Sequence, residues 1–220
     1  MTADELKRNI DTLFDRVRKA SAQAGTDVAV VAATKTVPPD VIAFALEFGI
    51  TDIGENRVQE FLDKKGVVSP ERWHFIGTLQ RNKVKYLVGS VALIQSVDGL
   101  ALAEEINRIA VKRGVIQDVL LEVNAAGEPN KSGVAADMFD ELLYAVRRLP
   151  NVNVRGVMSV PPKDAGDEVY RSLYALFDKH RGSAFDTLSV GMSGDYEKAI
   201  AFGANMIRPG TAVFGKRIYV

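Results

Sequence analysis

Val28-Ala29-Val30-Val31-Ala32-Ala33-Thr34-Lys35, followed at once by Val37-Pro38-Pro39, is the stretch on which the fold turns. Six small or β-branched apolar residues in a row read as a strand buried on both faces, and the two prolines forbid its continuation. Lys35 is therefore delivered from the end of a buried strand. Partial desolvation of its ammonium group favours the neutral, nucleophilic amine. Such an amine can condense with an aldehyde to a Schiff base. The competing reading is a lysine that snorkels from a strand end into water.

The pattern repeats along the chain. Thr2-Ala3-Asp4-Glu5 is a capping-box sequence, and Leu6, Ile10, Leu13, Phe14 and Val17 follow at helical spacing, which predicts an opening helix to about Gly25. Beyond it, strands are predicted at Ala29–Lys35, Asp52–Asn56, Trp73–Thr78, Leu93–Asp98, Asp118–Asn124, Asn153–Val160, Thr187–Ser193 and Met206–Gly210. Helices are predicted at about 39–48, 57–65, 80–87, 99–113, 135–148, 166–181 and 195–202, with Gly49, Gly114 and Gly203 at the C-caps and Pro150 as a stop. Strands with continuous apolar cores argue for a parallel sheet covered on its outside. Eight of them alternating with helices predict an α/β fold of the (β/α)8 TIM-barrel type, with the N-terminal helix as an addition; a doubly wound open sheet is the alternative. No linker or low-complexity tract divides the chain, so residues 1–220 are expected to form a single domain.

Composition narrows the function. With 220 residues and 47% hydrophobic content, the chain can bury a sizeable core. Lys+Arg and Asp+Glu balance at 28 each, so neither nucleic acid nor an anionic membrane is expected as partner. Cysteine is absent, which excludes disulfides and thiolate metal sites and agrees with a cytoplasmic location. Neither a signal-peptide layout nor an apolar run near the ~20 residues that span a bilayer is present.

In barrels of this type the chemistry sits at the C-terminal strand ends. Gly191-Met192-Ser193-Gly194-Asp195 ends strand seven and opens a helix, so the Ser193 hydroxyl and free helix-start amides are expected to form an anion site. Arg208-Pro209-Gly210-Thr211 ends strand eight, where glycine lets a ligand approach backbone amides. Phosphate sites after strands seven and eight recur in this fold, so the two segments should converge on one phosphate. An N-cap serine and a glycine turn are the plainer reading of the same residues. Lys35 on strand one adjoins strand eight once the barrel closes. An amine facing a phosphate site suggests a ligand with both an aldehyde and a phosphate, as in pyridoxal 5'-phosphate. His74 and His180 lack metal-ligand spacing, and His74 reads as a core or barrel-lining side chain. The loop Gly127–Gly133 lacks the spacing of a nucleotide-phosphate loop.

Ala33-Thr34-Lys35, Gly54-Glu55-Asn56-Arg57-Val58-Gln59-Glu60, His74-Phe75-Ile76-Gly77-Thr78-Leu79-Gln80-Arg81-Asn82-Lys83, Val123-Asn124 with Glu128 and Lys131-Ser132-Gly133, and Gly191–Asp195 together resemble the pyridoxal phosphate homeostasis proteins, the YggS/PROSC family of single-domain relatives of alanine racemase. The resemblance runs from about Val30 to Gly215. It implies an alanine racemase N-terminal-domain-like barrel with pyridoxal phosphate (PLP) bound as a Schiff base at Lys35. It also implies phosphate contacts from Ser193, Gly210 and Thr211, Arg208 near the pyridine nitrogen, and Asn56, Ile76, Gly77 and Met158 around the ring. Pro209 departs from the aliphatic residue often found there; it removes one amide donor and leaves Gly210 and Thr211 to act.

Arg208 bears on whether the protein is an enzyme. Catalytic pyridoxal sites mostly place an acid beside the ring nitrogen, and a permanent cation there weakens the electron sink. Alanine racemase draws its second acid–base group, a tyrosine, from a C-terminal domain that acts across a dimer. This chain stops ten residues after Gly210. The expectation is a PLP-binding protein of vitamin B6 homeostasis that buffers or delivers the cofactor, with no catalytic residue established beyond the Schiff-base lysine. The alternatives are a weak PLP-dependent amino-acid racemase using Tyr170, Tyr174 or Tyr196 as second base, and a cofactor-free Schiff-base aldolase. Apo forms of PLP-dependent enzymes are candidate partners, and a monomer is expected.

Overall fold

Eight parallel strands form in the order the apolar runs predict: β1 (Ala29–Ala33), β2 (Asp52–Glu55), β3 (Arg72–Phe75), β4 (Leu93–Val97), β5 (Gln117–Asn124), β6 (Val152–Met158), β7 (Thr187–Ser189) and β8 (Met206–Ile207). The computed structural model describes residues 1–128 and 131–215; Pro129 and Asn130, inside the loop rejected above as a nucleotide site, lie outside the described residues. Each strand pairs with the next in sequence, and β8 returns to β1 with Ala29 opposite Met206 and Val30 opposite Ile207. The sheet is thus a closed (β/α)8 barrel, and the open-sheet alternative is excluded.

Several strands stop short of their predicted ends. β1 ends at Ala33, not Lys35; β3 at Phe75, not Thr78; β7 at Ser189, not Ser193; β8 at Ile207, not Gly210. Past these points the ladders give way to single cross-links such as Ala33 N–H to Pro209 O at 2.8 Å and Arg208 N–H to Gly191 O at 2.8 Å. The chain splays outward there and forms the mouth of the barrel.

The helices are α1 (Ala3–Ala24), α2 (Pro39–Glu47), α3 (Val58–Lys64), α4 (Leu100–Arg113), α5 (Phe139–Arg147), α6 (Asp167–His180), α7 (Tyr196–Ala201) and α8 (Thr211–Phe214). The segment expected as a helix over 80–87 is a 3-10 helix, Arg81–Tyr86, and a 3-10 turn and a two-residue strand at Val134–Ala135 precede α5. The α1 capping box forms as read: Glu5 N–H donates to the Thr2 hydroxyl and Thr2 N–H to the Glu5 carboxylate. Its apolar stripe of Leu6, Ile10, Leu13 and Val17 packs with Ala32, Ile53, Ile200 and Ile207, so α1 covers the outside of the barrel beside β1 and β8. Among the described residues no helix is long and apolar enough to cross a membrane.

Inside the barrel the filling is mixed. Leu93, Leu120, Met158 and Met206 form a small apolar cluster, and buried Asp52, His74, Gln95, Ser189 and Arg208 supply a polar layer. Gly156 on β6 is required by close approach: a Cβ there would stand 1.7 Å from the Thr187 carbonyl oxygen of the neighbouring strand.

Candidate functional site

Lys35 sits in a turn just past β1, half-buried at the C-terminal mouth. Its neighbours are fixed from behind. The Thr34 side chain is fully buried and donates to Glu55 Oε1 at 2.7 Å. The Lys64 ammonium, delivered by the last residue of α3, donates to the Thr34 carbonyl at 2.8 Å and to Glu55 Oε1 at 2.7 Å. Thr34 points to the α3 side, and Lys35 follows it in the turn. Thr36, the next residue, has φ 62°, the only positive φ at a non-glycine among the described residues, and its N–H is held by Glu60 Oε2 at 2.6 Å. A β-branched residue in that conformation is strained and persists only where its surroundings fix it. Glu55 pairs with Lys64, yet burial still raises its pKa. Sequence reasoning did not single out Glu55, Glu60 or Lys64 for this role; the signal was a Glu-x-x-x-Lys pair, Glu60 and Lys64, directly after β2.

The ends of β7 and β8 converge. The Ser193 hydroxyl oxygen accepts from the Gly210 and Ala212 amides, both at 3.0 Å, so it sits against the start of α8. That differs from the expected anion site at the start of α7. There the Asp195 carboxylate is already in place, accepting from Met192 N–H at 2.7 Å and from the Tyr170 hydroxyl at 2.8 Å. The Gly210 and Ala212 amides are thus engaged by Ser193, which leaves the Ser193 hydroxyl hydrogen and the Thr211 amide as anion-binding candidates beside α8. Thr211 is the exposed first residue of α8, and Pro209 turns its carbonyl to Ala33.

Arg208 is buried beside this loop. Its Nη1 donates to the Ser189 carbonyl at 2.7 Å and the Ser189 hydroxyl at 2.6 Å, and its Nη2 to the Ser159 carbonyl at 2.8 Å. Burial lowers its pKa to about 10, against the opposing charges of Glu122 and Asp195, so it stays cationic at neutral pH. Glu122 on β5 is the acid that sequence reasoning missed. Burial, followed by repulsion from Asp98, pushes its carboxyl up to about 7, while Arg208 pulls the other way. It lines a cavity of 260 Å³ with Val123, Asn124, Lys131, Ser132 and Val160.

The expected ring-lining residues fall on neighbouring strand ends. Ile76 N–H bonds the Glu55 carbonyl at 2.9 Å, and Gly77 packs so closely on Asn56 that a Cβ would meet its carbonyl oxygen at 2.2 Å. Met158 is buried at the end of β6. Asn56 Oδ1 is buried with no hydrogen-bond partner among the described residues. An orphaned acceptor of this kind fits a ligand that brings a hydroxyl donor, such as the phenol of pyridoxal phosphate. The same mouth offers an amine, a serine-and-amide cradle and a buried cation, so the donor set fits that cofactor.

The tyrosines considered as a second base are engaged elsewhere. The Tyr170 hydroxyl is tied to Asp195 and its pKa is raised by burial and that bond. Tyr174 reaches Asp178 on its own helix at 3.5 Å, and Tyr196 is buried in the cluster under α1. His74 lines the barrel as the sequence suggested, and among the described residues no three potential metal-ligating groups cluster.

The family described as "Alanine racemase, N-terminal domain" matches residues 4–217. The Aquifex aeolicus pyridoxal phosphate homeostasis protein is 43% identical over 96% of this chain and 97% of its own length. The chain belongs to the pyridoxal phosphate homeostasis protein family. Its Escherichia coli member is 36% identical over 98% of both chains. Among solved structures, PipY of Synechococcus elongatus with PLP bound is 29% identical, with a TM-score of 0.84 over 96% of this chain and all of PipY. Alanine racemase of Clostridium difficile, 13% identical, superposes with a TM-score of 0.76 over 96% of this chain but 57% of its own. That last likeness shows a shared barrel.

Proposed function

We propose that this protein binds pyridoxal 5'-phosphate and serves intracellular homeostasis of the cofactor, storing it and releasing it to apo-enzymes, with no reaction of its own. Lys35 would hold the cofactor through its amine, to which the cofactor, when bound, would offer an aldehyde. The Ser193 hydroxyl and the Thr211 amide, beside Gly210, would hold the phosphate end, Asn56 would accept from a ring hydroxyl, and Ile76, Gly77 and Met158 would line the ring pocket. Arg208 would lie toward the ring nitrogen. The observation that carries this reading is the state of Arg208: a guanidinium locked by three hydrogen bonds, still charged at neutral pH, where an electron sink calls for an acid.

Glu122 favours a second reading. A carboxyl poised near neutrality in the same mouth is suited to proton transfer, as a weak racemase would need. Two measurements separate the readings. Transfer of cofactor to an apo-enzyme faster than spontaneous release into solution supports the carrier, and equal rates leave storage alone. Exchange of the Cα proton for deuterium, with inversion, in any of a panel of amino acids would make the protein an enzyme.

A further inference from the structure

Arg208 is one end of a continuous chain of hydrogen bonds through the barrel interior. Its Nη1 donates to Ser189 Oγ at 2.6 Å; the Ser189 hydroxyl donates to Gln95 Oε1 at 2.7 Å. Gln95 Nε2 donates to His74 Nδ1 at 3.0 Å, and His74 Nε2 donates to Asp52 Oδ1 at 2.8 Å. Asp52 and Arg72 begin β2 and β3, at the opposite mouth, where Arg72 forks onto both Asp52 oxygens at 2.5 and 2.9 Å. The five residues from Arg208 to Asp52 are each no more than 4% exposed, whereas the Arg72 side chain is 55% exposed.

The direction of this chain is forced. A guanidinium only donates and a carboxylate only accepts. With those ends fixed and a neutral imidazole, the Ser189 hydroxyl points to the Gln95 oxygen, the Gln95 nitrogen faces a bare His74 Nδ1, and the His74 proton is on Nε2. Any single reversal sets two donors or two acceptors against each other in a dry interior, which costs about 1–3 kcal/mol. Aligned bonds also polarise one another, so the Asp52 charge is felt at Ser189 Oγ as extra acceptor strength toward Arg208.

We propose that Ser189, Gln95, His74 and Asp52 are positioning residues for Arg208, through which the far mouth of the barrel sets how tightly the near mouth holds its cofactor. This rests on the functional reading above. Neutralising Asp52 removes the bias on the His74 tautomer. The Gln95 amide is then free to turn over, the Ser189 hydroxyl to rotate, and Arg208 loses one of its three acceptors. Ser189→Ala cuts the chain beside Arg208 while leaving the Ser189 carbonyl acceptor intact.

The test has two independent readouts. In protein free of cofactor, ¹⁵N spectra of His74 should show a single Nε2–H tautomer, and Asp52→Asn should convert it to a mixture. A protonated Nδ1 in the wild type overturns the chain. In PLP titrations followed by absorbance, Ser189→Ala and Asp52→Asn should each weaken binding by about 5–20-fold. The double variant should be no weaker than Ser189→Ala alone, because the cut already isolates the far end. Wild-type affinity in folded Ser189→Ala, or fully additive losses, overturns the proposal. Arg72→Gln, at an exposed position, replaces Asp52→Asn should the latter not fold; freed of its counter-ion, Asp52 pulls harder on the chain, so binding should tighten in the wild type and be unchanged in Ser189→Ala. Absence of PLP binding by the wild type would instead sink the functional reading, while the His74 spectrum still judges the chain.

Discussion

The Lys64 ammonium holds the carbonyl oxygen of Thr34 at 2.8 Å, pinning the turn that carries Lys35. The same ammonium is paired with fully buried Glu55, so one cation serves both the backbone turn and the carboxylate beneath it. Removing one partner of a buried pair leaves the other uncompensated, at about 3–5 kcal/mol. Lys64→Met should therefore lower the melting temperature by on the order of 10 °C. It should also slow reaction of Lys35 with PLP. Lys64→Met with Glu55→Leu should recover most of the stability but not the rate. A melting temperature unchanged in Lys64→Met would contradict this role.

Thr36 adds strain to the same turn. A left-handed conformation costs an L-residue with a Cβ about 1–2 kcal/mol, which glycine avoids. Thr36→Gly should be at least as stable as the wild type in urea unfolding. The Glu60 contact to the residue 36 amide is preserved in that variant, so Lys35 keeps its place. Clear destabilisation would show that the Thr36 side chain carries more than strain.

Glu122 predicts a pH dependence of stability. Its folded pKa, about 7, lies above the ordinary 4.5, so the folded state binds its proton more tightly than the unfolded one. The stabilisation is complete below about 4.5 and is lost as pH rises to about 7, on the order of 3 kcal/mol in all. Glu122→Gln mimics the protonated carboxyl and removes this loss. Unfolding free energies of the two cofactor-free proteins should diverge between those pH values, with the wild type falling; parallel curves would show that Glu122 is not perturbed.

Ser193 accepts two amides and has its hydroxyl hydrogen to give to an anion. Ser193→Ala should weaken PLP binding by roughly tenfold, about one hydrogen bond to a charged group, while pyridoxal, which lacks the phosphate, should bind both proteins equally. Equal losses for both ligands would move the role of Ser193 away from the phosphate.

The barrel was legible because eight strand-like segments, β1 among them a continuous apolar run, close on glycine, proline or a polar residue and alternate with helices. Lys35, Ser193 and Gly210 stood out for the same reason: they sit at those closures. Lys64, Glu55 and Glu60 did not, since their meaning depends on α3 folding back over the Lys35 turn. Asp52, His74, Gln95 and Ser189 were harder still. Each is a single polar residue within a strand, and only the register of the closed barrel brings Gln95 and Ser189, 94 positions apart, to 2.7 Å. The partners of Asp195 were equally hidden, since its carboxylate meets the Met192 amide and the Tyr170 hydroxyl, 25 positions away, only once α6 and α7 pack together.

Lys35 is the residue proposed to hold the cofactor. Borohydride reduction of the PLP-loaded protein, followed by peptide mass spectrometry, tests it most directly. One reduced pyridoxyl phosphate group should appear on the peptide containing Lys35, and Lys35→Ala should carry none there and lose the visible absorption band. A label on another lysine at equal stoichiometry, or an unchanged band in Lys35→Ala, would contradict it.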